Sequence, residues 1–135
     1  MPIKVTIAGG IKLKQCLDAV CFKVDTSDDS DARTTDIGNT IQIIGRIDVD
    51  FEPTVGLYSW SLIKPDSTNK AEVYKQVEVD ITSVKDNILI RKVVFPEAFV
   101  VDYSESYSNE TGVGTFKICL KQKKDNNEGV EVSDS

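Results

Sequence analysis

The sequence predicts an all-β protein, mainly antiparallel, with one short helix, built as a β-sandwich or a partly open β-barrel. Three observations carry this. Apolar and polar residues alternate with a period of two in about seven short segments. Gly, Pro, Asn and Asp punctuate those segments at short intervals. Only one segment, 70–76, joins helix-start chemistry to helix-forming residues. The organising piece is the stretch Ile88 to Lys123, in which two runs rich in β-branched and aromatic residues flank the turn formers Ser108-Asn109-Glu110-Thr111-Gly112. That is a β-hairpin. In its second arm Phe116, Ile118 and Leu120 alternate with Lys117, Cys119 and Lys121; in its first, Phe99, Val101 and Tyr103 alternate with Asp102 and Ser104. Each arm therefore offers one face to a core, and Phe99, Tyr103 and Phe116 are expected anchors, each contributing roughly 1.5–3 kcal/mol on burial.

Taken in order, Ile3, Val5 and Ile7 alternate with Lys4 and Thr6 as a first strand, and Gly9-Gly10 turns the chain toward Ile11 and Leu13. The run Ala19 to Val24 is a further strand. From Asp25 to Asn39 the chain is polar, with Asp25, Asp28, Asp29, Asp31 and Asp36 interrupted by Arg33. This is a long loop, and compact domains rarely keep such loops without a use for them. Ile41, Ile43, Ile47, Val49 and Phe51 then share one parity, the longest clean strand pattern in the chain. Gly45 falls on its inward parity, which points to a bulge or to another backbone approaching closely.

Leu57 to Ile63 reads as a strand with Tyr58, Trp60 and Leu62 on one side and two serines on the other. Trp60, the only tryptophan, is the largest single burial available, about 150–250 Å². Pro65 to Asn69 starts the predicted helix, with Asn69 and Glu72 at capping-box spacing. Val77, Val79 and Ile81 form the next strand, and Lys85-Asp86-Asn87 turns into the hairpin. The sequence thus reads as one domain over 1–124, followed by a polar, acidic, mobile tail over 125–135.

A chain of 135 residues with 40% hydrophobic and 28% charged content can bury a sizeable core without staples. Its net charge of -6 opposes binding to nucleic acid or to anionic lipid, although Lys121, Lys123 and Lys124 could form a local basic patch. No apolar run approaches the length of a membrane span, and the N-terminal strand pattern leaves no apolar block for a signal peptide. Synthesis in a cytosol is the expectation.

Three cysteines, Cys16, Cys21 and Cys119, without an export signal imply reduced structural thiols. The absence of histidine removes Ser-His-Asp and Cys-His catalysis and most zinc sites. Ser–Lys pairs and paired carboxylates find no distinguishing spacing, so acidic residues alternating on strands, such as Glu78 and Asp80, read as solvated faces. Gly112-Val113-Gly114 is turn chemistry, not a phosphate cradle. Aligned with a calcium loop, Asp25, Ser27, Asp29, Asp31 and Asp36 occupy ligand positions, but Ser30 stands where glycine is needed and Asp36 where a bidentate Glu is needed. Asn109-Glu110-Thr111 matches a glycosylation acceptor but is better explained as a turn. No catalytic, cofactor or metal site is expected.

The order of these parts resembles the tail-tube superfamily, which includes the Hcp tube protein of type VI secretion and the tubes of contractile phage tails and related injection devices. The residues that carry the likeness are Leu57-Tyr58-Ser59-Trp60-Ser61 and Phe95-Pro96-Glu97-Ala98-Phe99-Val100-Val101-Asp102-Tyr103-Ser104-Glu105-Ser106, within a match of order and length over about residues 1 to 124. The resemblance implies a tail-tube-like β-barrel with a peripheral helix. It also implies homo-oligomeric rings, commonly hexameric, that stack into a hollow tube alongside sheath, baseplate or spike proteins and leave the cell once assembled and fired. It makes Asp28, Asp29, Asp31, Arg33 and Asp36 candidates for a loop that reaches a neighbouring ring or subunit. Physical reasoning is compatible, because open sheet edges can be satisfied by a cyclic contact that continues the sheet. The rival reading is a monomeric β-sandwich binding module whose exposed tyrosines, Tyr58, Tyr103 or Tyr107, meet a sugar or a peptide. Tube and module differ in whether those tyrosines are buried at contacts or exposed on one face.

Overall fold

The computed structural model describes residues 2–25, 38–64, 68, 70–110, 112–123 and 129–134. Of the expected loop 25–39, Asp25 belongs to a strand and so do Gly38 and Asn39, while 26–37 lie outside the described residues, as do Pro65, Asp66, Ser67, Asn69, Thr111, Lys124 and 125–128 of the expected tail. Eight strands and two short helices follow one another as β1 (Ile3–Ile7), β2 (Ile11–Leu13), β3 (Leu17–Asp25), β4 (Gly38–Ile47), α1 (Val55–Ser61), α2 (Lys70–Val73), β5 (Lys75–Thr82), β6 (Leu89–Tyr107), β7 (Gly114–Gln122) and β8 (Glu131–Ser133). The fold is mostly β, as predicted. One antiparallel sheet runs in the order β2-β1-β5-β6-β7-β4-β3, with β8 added to β6. The ends of this path, β2 and β3, do not pair, so the sheet folds over on itself as an open sandwich and does not close into a barrel.

The β1–β2 turn is made by Gly9 and Gly10, both at positive φ, where a side chain would be disfavoured. The second hairpin arm keeps its predicted alternation through β7: Phe116, Ile118, Leu120 and Gln122 are buried and Lys117 and Lys121 are exposed. With Ile41 and Ile43 of β4, Val5 and Ile7 of β1, and Val77 and Val79 of β5, they fill the space between the folded halves of the sheet.

The first arm departs from its predicted parity. Over the 19 residues of β6 the buried positions are Val93, Phe95 and Ala98, Tyr103 is partly buried, and Val101 is 49% exposed. Two irregularities cause the shift. Between Phe95 and Ala98 the strand gains a residue against β5, and between Val100 and Asp102 it gains one against β7. Each extra residue moves the following side chains to the other face. The first irregularity coincides with Pro96, which has no N–H to give a ladder, and with the place where β6 changes partner: its first half pairs with β5 and its second with β7. The buried Gln122 side chain holds this corner, its Oε1 accepting the Glu97 N–H at 3.1 Å and its Nε2 donating to the Lys123 carbonyl.

A second correction concerns Leu57 to Ile63, which is not a strand: Leu57 to Ser61 belong to helix α1, and Leu62 is its C-cap. Leu57 and Trp60 are buried at a spacing of three, whereas Tyr58 and Leu62, expected to share the face of Trp60, are 46% and 68% exposed. Seven apolar-rich residues satisfy both periods, and packing against the core decides between them. The predicted helix over 70–76 is a single turn, α2, because β5 begins at Lys75. Likewise β4 ends at Ile47, and Val49 is 97% exposed, not inward.

Gly45 behaves as its inward parity suggests. A Cβ there would lie 2.4 Å from the Cys16 carbonyl oxygen and 2.6 Å from the Phe116 ring, and β3 bulges between Leu17 and Ala19 directly opposite. The end of the chain, read as a polar tail, contains β8, which pairs with Lys92, Val93 and Val94 of β6, while Val130 packs against the core.

Candidate functional site

Among the described residues no three of Cys, Asp or Glu gather as a metal would need. A thiol does meet a carboxylate, Cys16 against Glu52, but away from solvent. Cys16 is fully buried, and burial first, then the charge and hydrogen bonding of Glu52, push its thiol up to about 12, which makes it inert. Glu52 serves structure: its Oε1 accepts the N–H groups of Lys14 and Cys16 at 3.1 and 3.0 Å, tying the β2–β3 connection to the segment after β4. No helix among the described residues is long and apolar enough to cross a membrane.

What the fold does assemble is a group of tyrosines at the C-terminal end of β6. Tyr103, Glu105 and Tyr107 alternate onto one face, and the Glu105 carboxylate accepts both phenols, Oε1 from Tyr103 at 2.5 Å and Oε2 from Tyr107 at 2.7 Å. Helix α1 brings Tyr58 edge-on to Tyr103, with ring centroids 5.4 Å apart. Together with Ser61 and Leu62 they line an open pocket of about 330 Å³. Burial, then the hydrogen bond and charge of Glu105, hold the Tyr103 phenol well above its ordinary range; for Tyr107 the hydrogen bond to Glu105 comes first. Both phenols therefore stay protonated and donate. The Tyr107 ring lies over Gly114, its cross-strand partner, where a Cβ would come within 2.4 Å. The sequence offered these three tyrosines as candidates for one exposed face; their convergence comes from α1 being a helix packed on β6.

Helix α1 is apolar on two sides. Leu57 and Trp60 face the core, and the Trp60 indole N–H donates to the Val73 carbonyl at 2.8 Å, fastening α2 beneath it. Val55, Tyr58 and Leu62, spaced by three and four, form an exposed stripe on the other side. A second exposed apolar group, Val84, Ile88 and Ile90, sits at the β5–β6 turn, where Asn87 takes a positive φ. Among the described residues β2 pairs only with β1, β3 only with β4 and the short β8 only with β6, so each of the three is an edge strand.

Of the residues singled out from sequence, Trp60 and Phe116 lie in the core at 3% and 2% exposure, and Tyr103 packs against it. Phe99 is half-buried and meets Tyr74 edge-on, with Lys123 above the Tyr74 ring. The loop candidates Asp28, Asp29, Asp31, Arg33 and Asp36 lie outside the described residues.

No protein-family model matches the sequence, and no curated protein matches it. Solved structures do match the fold. Hcp1 from Flavobacterium johnsoniae superposes with a TM-score of 0.61 at 18% identity, over 100% of this chain and 97% of that one. A chain from the sheath–tube complex of an extracellular contractile injection system, PVC, in its extended state gives 0.58 at 13% identity, over 99% and 89%. A chain from the tube-terminating cap of the anti-feeding prophage gives the same values. These likenesses show the fold: the chain shares its architecture with Hcp1 and with chains of contractile injection systems.

Proposed function

We propose that this protein, which has the tail-tube fold, is a structural protomer that self-assembles into rings stacked as a hollow tube in a phage-tail-like contractile injection system. The observation that carries the reading is the likeness to Hcp1 over 100% of this chain and 97% of that one. The exposed features support it. Edge strands and a helix with an apolar outer stripe are surfaces that a solitary soluble protein covers or charges, and ring closure covers them. Six subunits per ring is the number we propose, with sheath, baseplate and spike proteins as further partners, synthesis in the cytosol and release with the fired tube.

A second reading has one observation in its favour: Tyr58, Tyr103 and Tyr107 do converge on one open pocket, as a monomeric sugar- or peptide-binding module would require. Light scattering coupled to size exclusion, with negative-stain images of the same peak, separates the two. Rings or hollow rods are the expected outcome. A monodisperse species of 14.9 kDa at high concentration would instead turn attention to glycan and peptide screens.

A further inference from the structure

We infer that the tyrosine–glutamate pocket and the outer stripe of α1 form one half of the contact between neighbouring subunits, and that the β5–β6 turn of a second copy is its occupant. The inference rests on the ring reading above and names the surfaces that would make it. A ring needs a heterologous contact, in which two different patches of one molecule fit each other and lie far enough apart for the chain of contacts to progress. These patches qualify. They sit at opposite ends of the 19-residue strand β6, Ile88 and Ile90 at its start and Glu105 and Tyr107 at its end.

Their chemistry is complementary. Helix α1 contains no charged residue, and Glu105 is the only charge between Tyr103 and Tyr107, so the pocket presents tyrosine rings and phenols, Ser61, Ser104 and Leu62 around a single carboxylate. The carboxylate is fixed by two phenols and flanked by tyrosine rings, an arrangement that favours a cationic side chain with an apolar stem. The β5–β6 turn presents the exposed Val84 and Ile88 beside Lys85, and the nearby Asp86 directs its carboxylate back to the Ile88 N–H, leaving Lys85 to project its charge. Lys85 approaching Glu105, with Val84 and Ile88 against Val55 and Leu62, removes both exposed apolar groups from water at once.

Two double variants test this, each altering one patch: Leu62→Asp with Glu105→Arg, and Lys85→Glu with Ile88→Asp. Circular dichroism establishes that they fold; where a double variant does not, Leu62→Ser and Ile88→Ser replace it. Each variant alone should associate at least about 30-fold more weakly than the wild type, as for loss of an interface hot spot, and remain a monomer where the wild type forms rings. Mixed in equal amounts, they should give a species of twice the protomer mass and no rings, because each retains the face the other lacks. Rings from either variant alone would overturn this contact and leave the ring reading intact. Monomers that fail to pair on mixing would show that the patches do not fit one another. A wild type that stays monomeric at every concentration would remove the ring reading and this contact with it.

Discussion

Gly45 and Gly114 show how one missing methyl group can carry different weight. At Gly45 a Cβ would meet a backbone carbonyl, that of Cys16, as well as the Phe116 ring, and neither can retreat without moving a strand. Gly45→Ala is therefore expected to cost about 1–3 kcal/mol, read as a lower urea midpoint. At Gly114 the obstacle is the 65% exposed Tyr107 ring, which can swing away. Gly114→Ala should lower the midpoint less, while breaking the Tyr107–Glu105 hydrogen bond. For Trp60, replacement by Phe keeps most of the burial but removes the donor to Val73, leaving a carbonyl within the core unpaired at about 1–3 kcal/mol. Denaturation followed by circular dichroism measures that cost. The cysteines should separate by exposure: a thiol reagent at pH 8 labels Cys21 first, the partly buried Cys119 more slowly, and Cys16 only on unfolding.

Elements are joined here by a few polar side chains. Glu52 binds the β2–β3 connection, and although burial works against its charge, the N–H donors of Cys16 and Lys14 prevail and lower its pKa below the ordinary 4.5. A carboxylate whose pKa is lower in the folded state adds stability that is complete above the unfolded value and is lost as pH falls through the folded one. Glu52→Ala should accordingly be less stable than wild type at pH 7, with the gap between their urea midpoints narrowing below pH 4.5. The β6 corner, held by Gln122, and helix α1 illustrate why sequence reading stopped where it did. Alternation in β7 was legible because its pairing with β4 is uninterrupted. In β6 one extra residue reversed the parity and a second restored it, and only the partner strands reveal an extra residue. In α1 seven residues fit two periods equally well.

For the whole molecule, the polar stretch between β3 and β4, expected from sequence as the loop 25–39, is the part whose use the ring proposal must explain. Removing Asp28 to Asp36 should leave a folded protomer that forms rings but no long tubes, visible in negative stain; undiminished tubes would exclude the loop from stacking. The candidate contact surfaces were only partly legible, because Tyr58, Glu105 and Tyr107 are separated by as many as 49 positions in sequence and meet through the packing of α1 on β6.

By itself the sequence determined the all-β class, the turns at Gly9-Gly10 and Asn87, the closing hairpin and the resemblance to tail tubes, because period-two patterning and turn chemistry are local properties. Only the tertiary structure decided that α1 is a helix, that β6 turns a corner at Pro96, and that the sheet stays open between β2 and β3. Those outcomes depend on which surfaces lie opposite one another, and a short segment's preference of a few tenths of a kcal/mol per residue yields to the larger free energy of burying a tryptophan or completing a ladder.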